Sequence, residues 1–361
     1  MVSPRLKEEK AISYFSQKLV ESIRRDKGDI DNLVFAAGNP ISFLRLLSRF
    51  KDYDIIHIQQ EYNLLGWFGI PFLLLYLYFV LPRRYLVVTT MHTTPPRDKL
   101  FDKNRIKNFL RKTFYTLQNW LINRGSDYIV VHQNFSVNIL ETYNIPRRKI
   151  IVLRQGIIDD LKLPPREKSR RELNLSGKVY LIIGNLAWDN GSDIILSQAD
   201  KIGKTILVAT NPKSVNLRDP SGMSNWISYL QEIVIKDGFS GYVRFDLREI
   251  PYSLWWRYFS AADLILLPYR GAIGSGIFTD AMATGRPVVA SDVPFFREIA
   301  ERYGCIELAK NDSDFPRAIK DAMKPRRHRK MVRECKRYLK RNSWTEVGKR
   351  YKAFYNGITD D

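Results

Sequence analysis

Histidine and cysteine are scarce in this chain, four and two among 361 residues. Cys305 and Cys335 lie far from any second ligand pair, so they offer neither a disulfide framework nor a zinc site, and they point to a reducing compartment. The spacings His-Glu-x-x-His, Cys-x-x-Cys and Gly-x-Ser-x-Gly do not occur, which removes the zinc-protease, dithiol and serine-hydrolase signatures. Asp-x-Asp does occur, as Asp29-Ile30-Asp31, Asp52-Tyr53-Asp54 and Asp312-Ser313-Asp314. A metal-holding pair belongs at a strand's carboxyl end, whereas Asp54 starts its strand and the others lie in polar loops. All three read as turn or cap residues, and no metal is expected. Pro4–Lys10 is polar, so no signal peptide is expected and the location reads as cytoplasmic.

Acidic residues are also in deficit: 38 Asp and Glu against 58 Lys and Arg, a formal charge of +20. The excess is uneven. Lys320–Lys352 holds 14 basic and 3 acidic residues, and Arg97–Lys112 holds 7 and 2. Such patches bind polyanions, either nucleic acid or an anionic membrane face, unless they are simply solvated. Hydrophobic content of 45% and aromatic content of 12% mark a folded chain. Its length favours two domains over one.

Long apolar runs are rare too, with one exception. Leu64–Leu81 holds 18 uncharged residues, about 27 Å as a helix. Asp54–Gln59 and Arg84–Thr90 flank it as buried strands, and a membrane span between them would leave strands of one sheet on opposite sides. It reads either as a helix dipping an apolar face into a bilayer or as a core helix broken by Pro71.

The best organised stretch lies between Ala261 and Glu298. Asp263–Leu267 reads as a buried strand, and Pro268-Tyr269-Arg270-Gly271 ends it. A loop with Gly271, Gly274 and Gly276 leads into a helix over 276–284, closed by Gly285; Val288-Val289-Ala290 begins the next strand. Glycines at a strand's carboxyl end stand where open α/β sheets bind ligands. Ser275 and Gly276 at the helix start would favour an anion by roughly 0.3–1 kcal/mol. Asp280, one turn on, is placed to accept from ribose hydroxyls. The alternative is a loop whose glycines serve packing alone, with Asp280 a solvated charge.

Elsewhere Met1-Val2-Ser3-Pro4 reads as the tail of a strand, which leaves room for a start a few residues upstream. An amphipathic helix follows, with Ile12, Phe15, Leu19 and Ile23 on one face. Leu33–Ala36 reads as a short strand and Ile41–Phe50 as a helix. His92 follows the 84–90 strand at its carboxyl end, where a histidine is either a satisfied structural group or a functional one. Arg105–Arg124 reads as a helix with Ile106, Phe109, Leu110, Leu117 and Leu121 inward and Lys107, Arg111 and Lys112 outward. Tyr128–His132 and Ile150–Leu153 are strands. Gly156–Glu167, with Asp159-Asp160 and Pro164-Pro165, is the best linker. Beyond it, strands at Val179–Ile183, Thr205–Val208, Tyr242–Phe245 and Asp263–Leu267 alternate with helices near 192–200, 224–236 and 251–260, a second parallel sheet. Trp255-Trp256 reads as core. Ser343–Gly357 opens on a Ser-x-x-Glu box and forms a separate final helix.

Taken in order, Asp54–Tyr62 (DIIHIQQEY), Thr89–Thr93 (TTMHT), Ser126–Val131 (SDYIVV), Leu153–Ile157 (LRQGI), the Ala262–Pro268 strand and Asp280–Val289 (DAMATGRPVV) resemble the GT-B glycosyltransferases over nearly the whole chain. Within them the chain is most similar to the retaining family 4 type, glycosyl transferases group 1. The resemblance implies an α/β fold of two Rossmann-like parallel-sheet domains facing a cleft. Domains are expected at 1–158 on the acceptor side and 159–342 on the nucleotide-sugar side, with 343–361 as a helix packing back on the first.

The resemblance also implies roles. His92 matches the histidine that contacts the transferring sugar. Asp280 takes the place of the ribose-binding glutamate of a Glu-x7-Glu pair, and Glu298 matches a further acidic position. Arg270, Gly274, Ser275, Gly276 and Asn190 fall on the donor side, Gln60 and Glu61 on the acceptor side. No cofactor is implied beyond the nucleotide-sugar donor as substrate. Three positions depart from the pattern: Ala272 stands where the first glutamate belongs, and Asn185 and Asn190 where an Arg and a Lys hold the diphosphate. Each lost charge-assisted hydrogen bond is worth about 1.5–3 kcal/mol, roughly 10- to 150-fold in affinity. The donor pocket is therefore rewired, through Arg270 or the basic surface near Arg154, or degraded.

The expected activity is retaining, metal-independent transfer of a sugar to an acceptor hydroxyl on a glycan or lipid-linked acceptor, at an anionic membrane surface. The alternatives are a weakened GT-B scaffold or partner protein, and nucleic-acid binding through the carboxyl-terminal basic helices, for which no reading motif is present.

Overall fold

The structure is a computed structural model that describes residues 1–5, 10–36, 39–62, 76–211 and 226–359. The chain divides into two compact units, Met1–Gly156 with Asn342–Asp361, and Ile157–Arg341.

The first unit is built on six parallel strands in the order β2-β1-β3-β4-β5-β6: β1 Val2–Pro4, β2 Leu33–Phe35, β3 Ile55–Gln60, β4 Leu86–Met91, β5 Tyr128–Val131 and β6 Ile150–Val152. β1 therefore lies inside the sheet, between β2 and β3. The Lys10–Arg25 helix buries Ile12, Phe15, Leu19 and Ile23, the face its periodicity selects. Against it lies the Trp344–Thr359 helix, close enough that a Cβ on Gly348 would stand 2.7 Å from Ser22 Cβ. Trp344 meets Phe15 edge-on at 5.2 Å, and Tyr355 Oη reaches His57 Nδ1 at 2.5 Å. Ser343 Oγ caps this helix by accepting from the Glu346 N–H at 3.2 Å. Glu346 itself pairs with Lys349, so half of the expected box is formed.

Two expectations are corrected in this unit. Ile41–Phe50 is not one helix but a Pro40–Leu44 helix followed by a 3-10 segment, Leu47–Asp52. The Arg105–Gly125 helix departs from its reading in part: Leu121 is buried and Lys107 exposed as expected, but Ile106, Phe109, Leu110 and Leu117 face solvent, Arg111 and Lys112 are half-buried, and Gln118 and Asn119 are buried. Periodicity locates an apolar stripe without saying on which side the domain lies. Residues 64–75 of the long apolar run lie outside the described residues. Its end, 76–80, is helical, with Tyr76 and Phe79 buried.

The second unit carries six parallel strands in the order β12-β11-β10-β7-β8-β9: β7 Val179–Ile183, β8 Thr205–Thr210, β9 Val243–Leu247, β10 Leu264–Leu267, β11 Val288–Ser291 and β12 Ile306–Ala309. β7 is buried along all five residues, as an apolar, largely branched run covered on both faces requires. Asp263 is buried one residue before β10, where its carboxylate accepts from Arg166 at 2.7 Å, Arg170 at 2.8 Å and the Val179 N–H at 2.9 Å. Strand order reverses between β7 and β10, which opens a crevice at their carboxyl ends.

Candidate functional site

That crevice is lined by the segments leaving β7 and β10. Gly184 leaves β7 at φ +105°, and Gly191 closes the Trp188–Asn190 turn at φ +64°. A Cβ on Gly191 would stand 1.9 Å from the Pro268 carbonyl, so the turn after β7 is seated directly on the chain leaving β10. The loop glycines behave differently. A Cβ at Gly271, Gly274 or Gly276 would meet nothing within 4 Å, so packing does not explain them.

The helix runs over Gly276–Ala283 with Ser275 as N-cap, its Oγ accepting from the Phe278 N–H at 3.1 Å. The N–H groups of Gly276 and Ile277 have no protein acceptor among the described residues. Two free donors at a helix start, with the dipole behind them, are an arrangement that suits an anion. One turn along, Asp280 Oδ2 accepts from the Trp255 indole N–H at 2.9 Å. No second bond reaches Oδ1 among the described residues. Burial pushes the Asp280 carboxyl up to about 7, against the lowering effect of Trp255. Trp255, read as core from the sequence, thus belongs to the site; its neighbour Trp256 is the core residue.

Arg270, on the chain leaving β10, is paired within the protein. Its guanidinium forks onto Asp193 at 2.6 and 3.0 Å, donates to the Trp188 carbonyl at 2.6 Å and lies over the Trp188 ring at 4.4 Å. The fork onto Asp193 is a charge-assisted pair that fixes the guanidinium beside Trp188. The Tyr269 hydroxyl lies 3.3 Å from Ser275 Oγ, and burial raises its pKa against the lowering effect of Ser275 and Asn190. Asn185 is exposed, and Glu298 is half-buried on the Pro294–Ala300 helix.

In the first unit the carboxyl ends of β3 and β4 bring together Gln59, Glu61 and His92. His92 Nε2 lies 2.9 Å from Gln59 Oε1. A carbonyl oxygen only accepts, so Nε2 carries the proton and Nδ1 is left as an acceptor. Burial holds this imidazole well below its usual range, with His132 adding to the effect, and it is neutral at pH 7. Phe15 packs edge-on at 4.9 Å and His132 lies at 5.3 Å. Glu61 Oε1 accepts from Thr93 Oγ1 at 2.7 Å and from the Tyr62 N–H at 3.0 Å. Gln60 ends β3 opposite Met91 and is buried, with neither its amide oxygen nor its amide nitrogen paired among the described residues. Gln59, not singled out from the sequence, is the residue that orients His92. Among the described residues, no group of three or more His, Cys, Asp or Glu side chains is placed to hold a metal ion.

Comparison with known proteins follows the same division. The Glycosyltransferase Family 4 model matches residues 3–161, and the Glycosyl transferases group 1 model matches residues 177–324. Mannosylfructose-phosphate synthase of Agrobacterium fabrum is 24% identical over 258 residues, 66% of this chain and 55% of that protein. The chain thus spans about half the length of this curated relative. Sucrose-phosphate synthase from Thermosynechococcus elongatus superposes with a TM-score of 0.76 at 14% identity, covering 99% of this chain and 98% of that one. The Anabaena protein HepE, solved with UDP and glucose, gives 0.72 at 13% identity, covering 98% of each chain. With one family model on each parallel-sheet unit and these folds alongside, the chain belongs to the GT-B glycosyltransferases, of family 4 and group 1 type.

Proposed function

We propose that the protein transfers a sugar from a nucleotide-sugar donor to an acceptor hydroxyl. The observation that carries this reading is the open helix start at Gly276 and Ile277 with Asp280 one turn behind it, at the reversal point of a parallel sheet. The two free N–H groups and the helix dipole receive the donor diphosphate and stabilise the charge that develops as it departs, the electrostatic contribution such a site supplies. Ionised Asp280 accepts the ribose hydroxyls through Oδ1 while Trp255 holds Oδ2. By the family resemblance, His92 in the first unit is assigned to the sugar, its neutral ring leaving Nδ1 as an acceptor, and Glu61 is assigned to the acceptor.

Retention and metal independence are part of this proposal, on the strength of the family 4 resemblance. Nucleotide sugars as donors are supported by HepE, solved with UDP-glucose, a relative in fold. The acceptor we propose is a lipid-linked or membrane-proximal glycan, reached from the cytoplasmic side. No helix among the described residues is long and apolar enough to cross a membrane, so access would be peripheral. Turnover with membrane extract and a panel of labelled nucleotide sugars tests the reading. Transfer from one donor, lost in Asp280→Ala, supports it; turnover unchanged in that variant overturns the assignment.

A second reading rests on the cations. Asn185 and Asn190 carry no charge and Arg270 is paired with Asp193, as a donor site decayed into a scaffold would have them. Calorimetry against the same panel separates the two, since a decayed site binds none.

A further inference from the structure

We infer that the outward face of the Arg105–Gly125 helix is a docking surface for an anionic phospholipid bilayer. Ile106, Phe109, Leu110, Thr113, Leu117 and Trp120 recur at spacings of three and four and form one stripe along it. This stripe faces solvent: Ile106 is 71% exposed, Phe109 68% and Trp120 49%. Leu100, just before the helix, is 68% exposed. A soluble helix exposes a polar face; this one buries Gln118, Asn119, Leu121 and Ile122 on one side and presents a further apolar stripe to the outside.

Charge selects the occupant. The helix holds Arg105, Lys107, Arg111, Lys112 and Arg124 and no Asp or Glu. Apolar side chains bordered by cations alone are the composition of a helix lying in the interface of an anionic membrane. A second copy of the chain would bring the same five cations against these, which disfavours self-pairing. Nucleic acid would leave the apolar stripe unused. The 76–80 helix, which packs at Gly125, adds Leu77 at 47% and Val80 at 43% exposure at that end of the unit, and Leu81, just after it, is 59% exposed.

The inference deepens the proposed membrane-proximal acceptor by giving it a surface, and it is tested without substrate, so either reading can fail alone. The full chain is floated with vesicles of phosphatidylcholine, with and without phosphatidylglycerol. It is expected to float with the anionic vesicles at low salt and to detach as salt rises. The double variant Ile106→Ser, Phe109→Ser should bind at least about tenfold more weakly, with an unchanged melting curve because both side chains are exposed. Ile235→Ser, at a position equally exposed (71%) on the Trp226–Lys236 helix, should float like the parent. Absence of flotation, equal flotation of the double variant, or self-association abolished by Phe109→Ser would each overturn the inference.

Discussion

Asp280→Asn separates the cost of the donor site from its use. Burial holds the Asp280 carboxyl near 7 instead of 3.8. The native state therefore binds a proton more tightly than the unfolded chain between those values, and stability falls as pH rises through that window. Asparagine keeps an acceptor for the Trp255 N–H and carries no charge to bury. One pKa unit is worth 1.36 kcal/mol, so the full shift corresponds to about 4 kcal/mol at high pH. Integrated between pH 5 and pH 8, the advantage of the variant should grow by about 2.5 kcal/mol. At roughly 2–4 °C per kcal/mol for a unit of this size, its melting temperature relative to wild type should climb by about 5–10 °C over the same interval. The assay is thermal and urea unfolding of both proteins at matched pH; groups common to both cancel. Parallel stability–pH curves for the two would refute the claim that this carboxylate is held uncomfortably in the crevice.

Three further outcomes follow from the same geometry. Wild-type affinity for a nucleoside diphosphate should fall below about pH 7, by up to roughly tenfold per pH unit, because ribose hydroxyls need the ionised carboxylate; a pH-independent Kd from calorimetry would contradict this. Asp193→Ala should destabilise the second unit by about 1.5–3 kcal/mol, since Arg270 is left part-buried with only the Trp188 carbonyl; unchanged urea unfolding would show the fork to be idle. Gln59→Leu should abolish the strict Nε2–H tautomer of His92, read from two-bond nitrogen–proton correlations of the four histidines, while Gln59→Glu should preserve it. A His92 signal indifferent to Gln59→Leu would remove Gln59 as its positioning residue.

The site residues legible in the sequence are those whose signals are local. Ser275 as cap, Gly285 at φ +65° and Asp280 one turn beyond Gly276 all lie within a dozen residues of one another. Turn chemistry and helical spacing act over that range. The contacts that escaped were made by pairing across the chain: Arg270 is claimed by Asp193, 77 residues away, and Asp280 by Trp255, 25 residues away. Neither partner has a spacing that announces it. The sheets were readable as alternating apolar runs, but β12 lay unmarked in a mixed segment, its centre Glu307-Leu308 only half-buried. The Arg105–Gly125 helix shows a further limit, because a stripe of fixed period fixes a face and not its environment.

The central claim is that a nucleotide sugar is held by the free N–H groups of Gly276 and Ile277 at its diphosphate and by the carboxylate of Asp280 at its ribose. Calorimetric titration of wild type and Asp280→Ala with a panel of nucleotide sugars at pH 8 tests it most directly. Saturable binding of at least one donor by wild type is expected, with a loss of roughly 10- to 150-fold in the variant. Equal affinity in both proteins, or no binding to wild type across the panel, would contradict it.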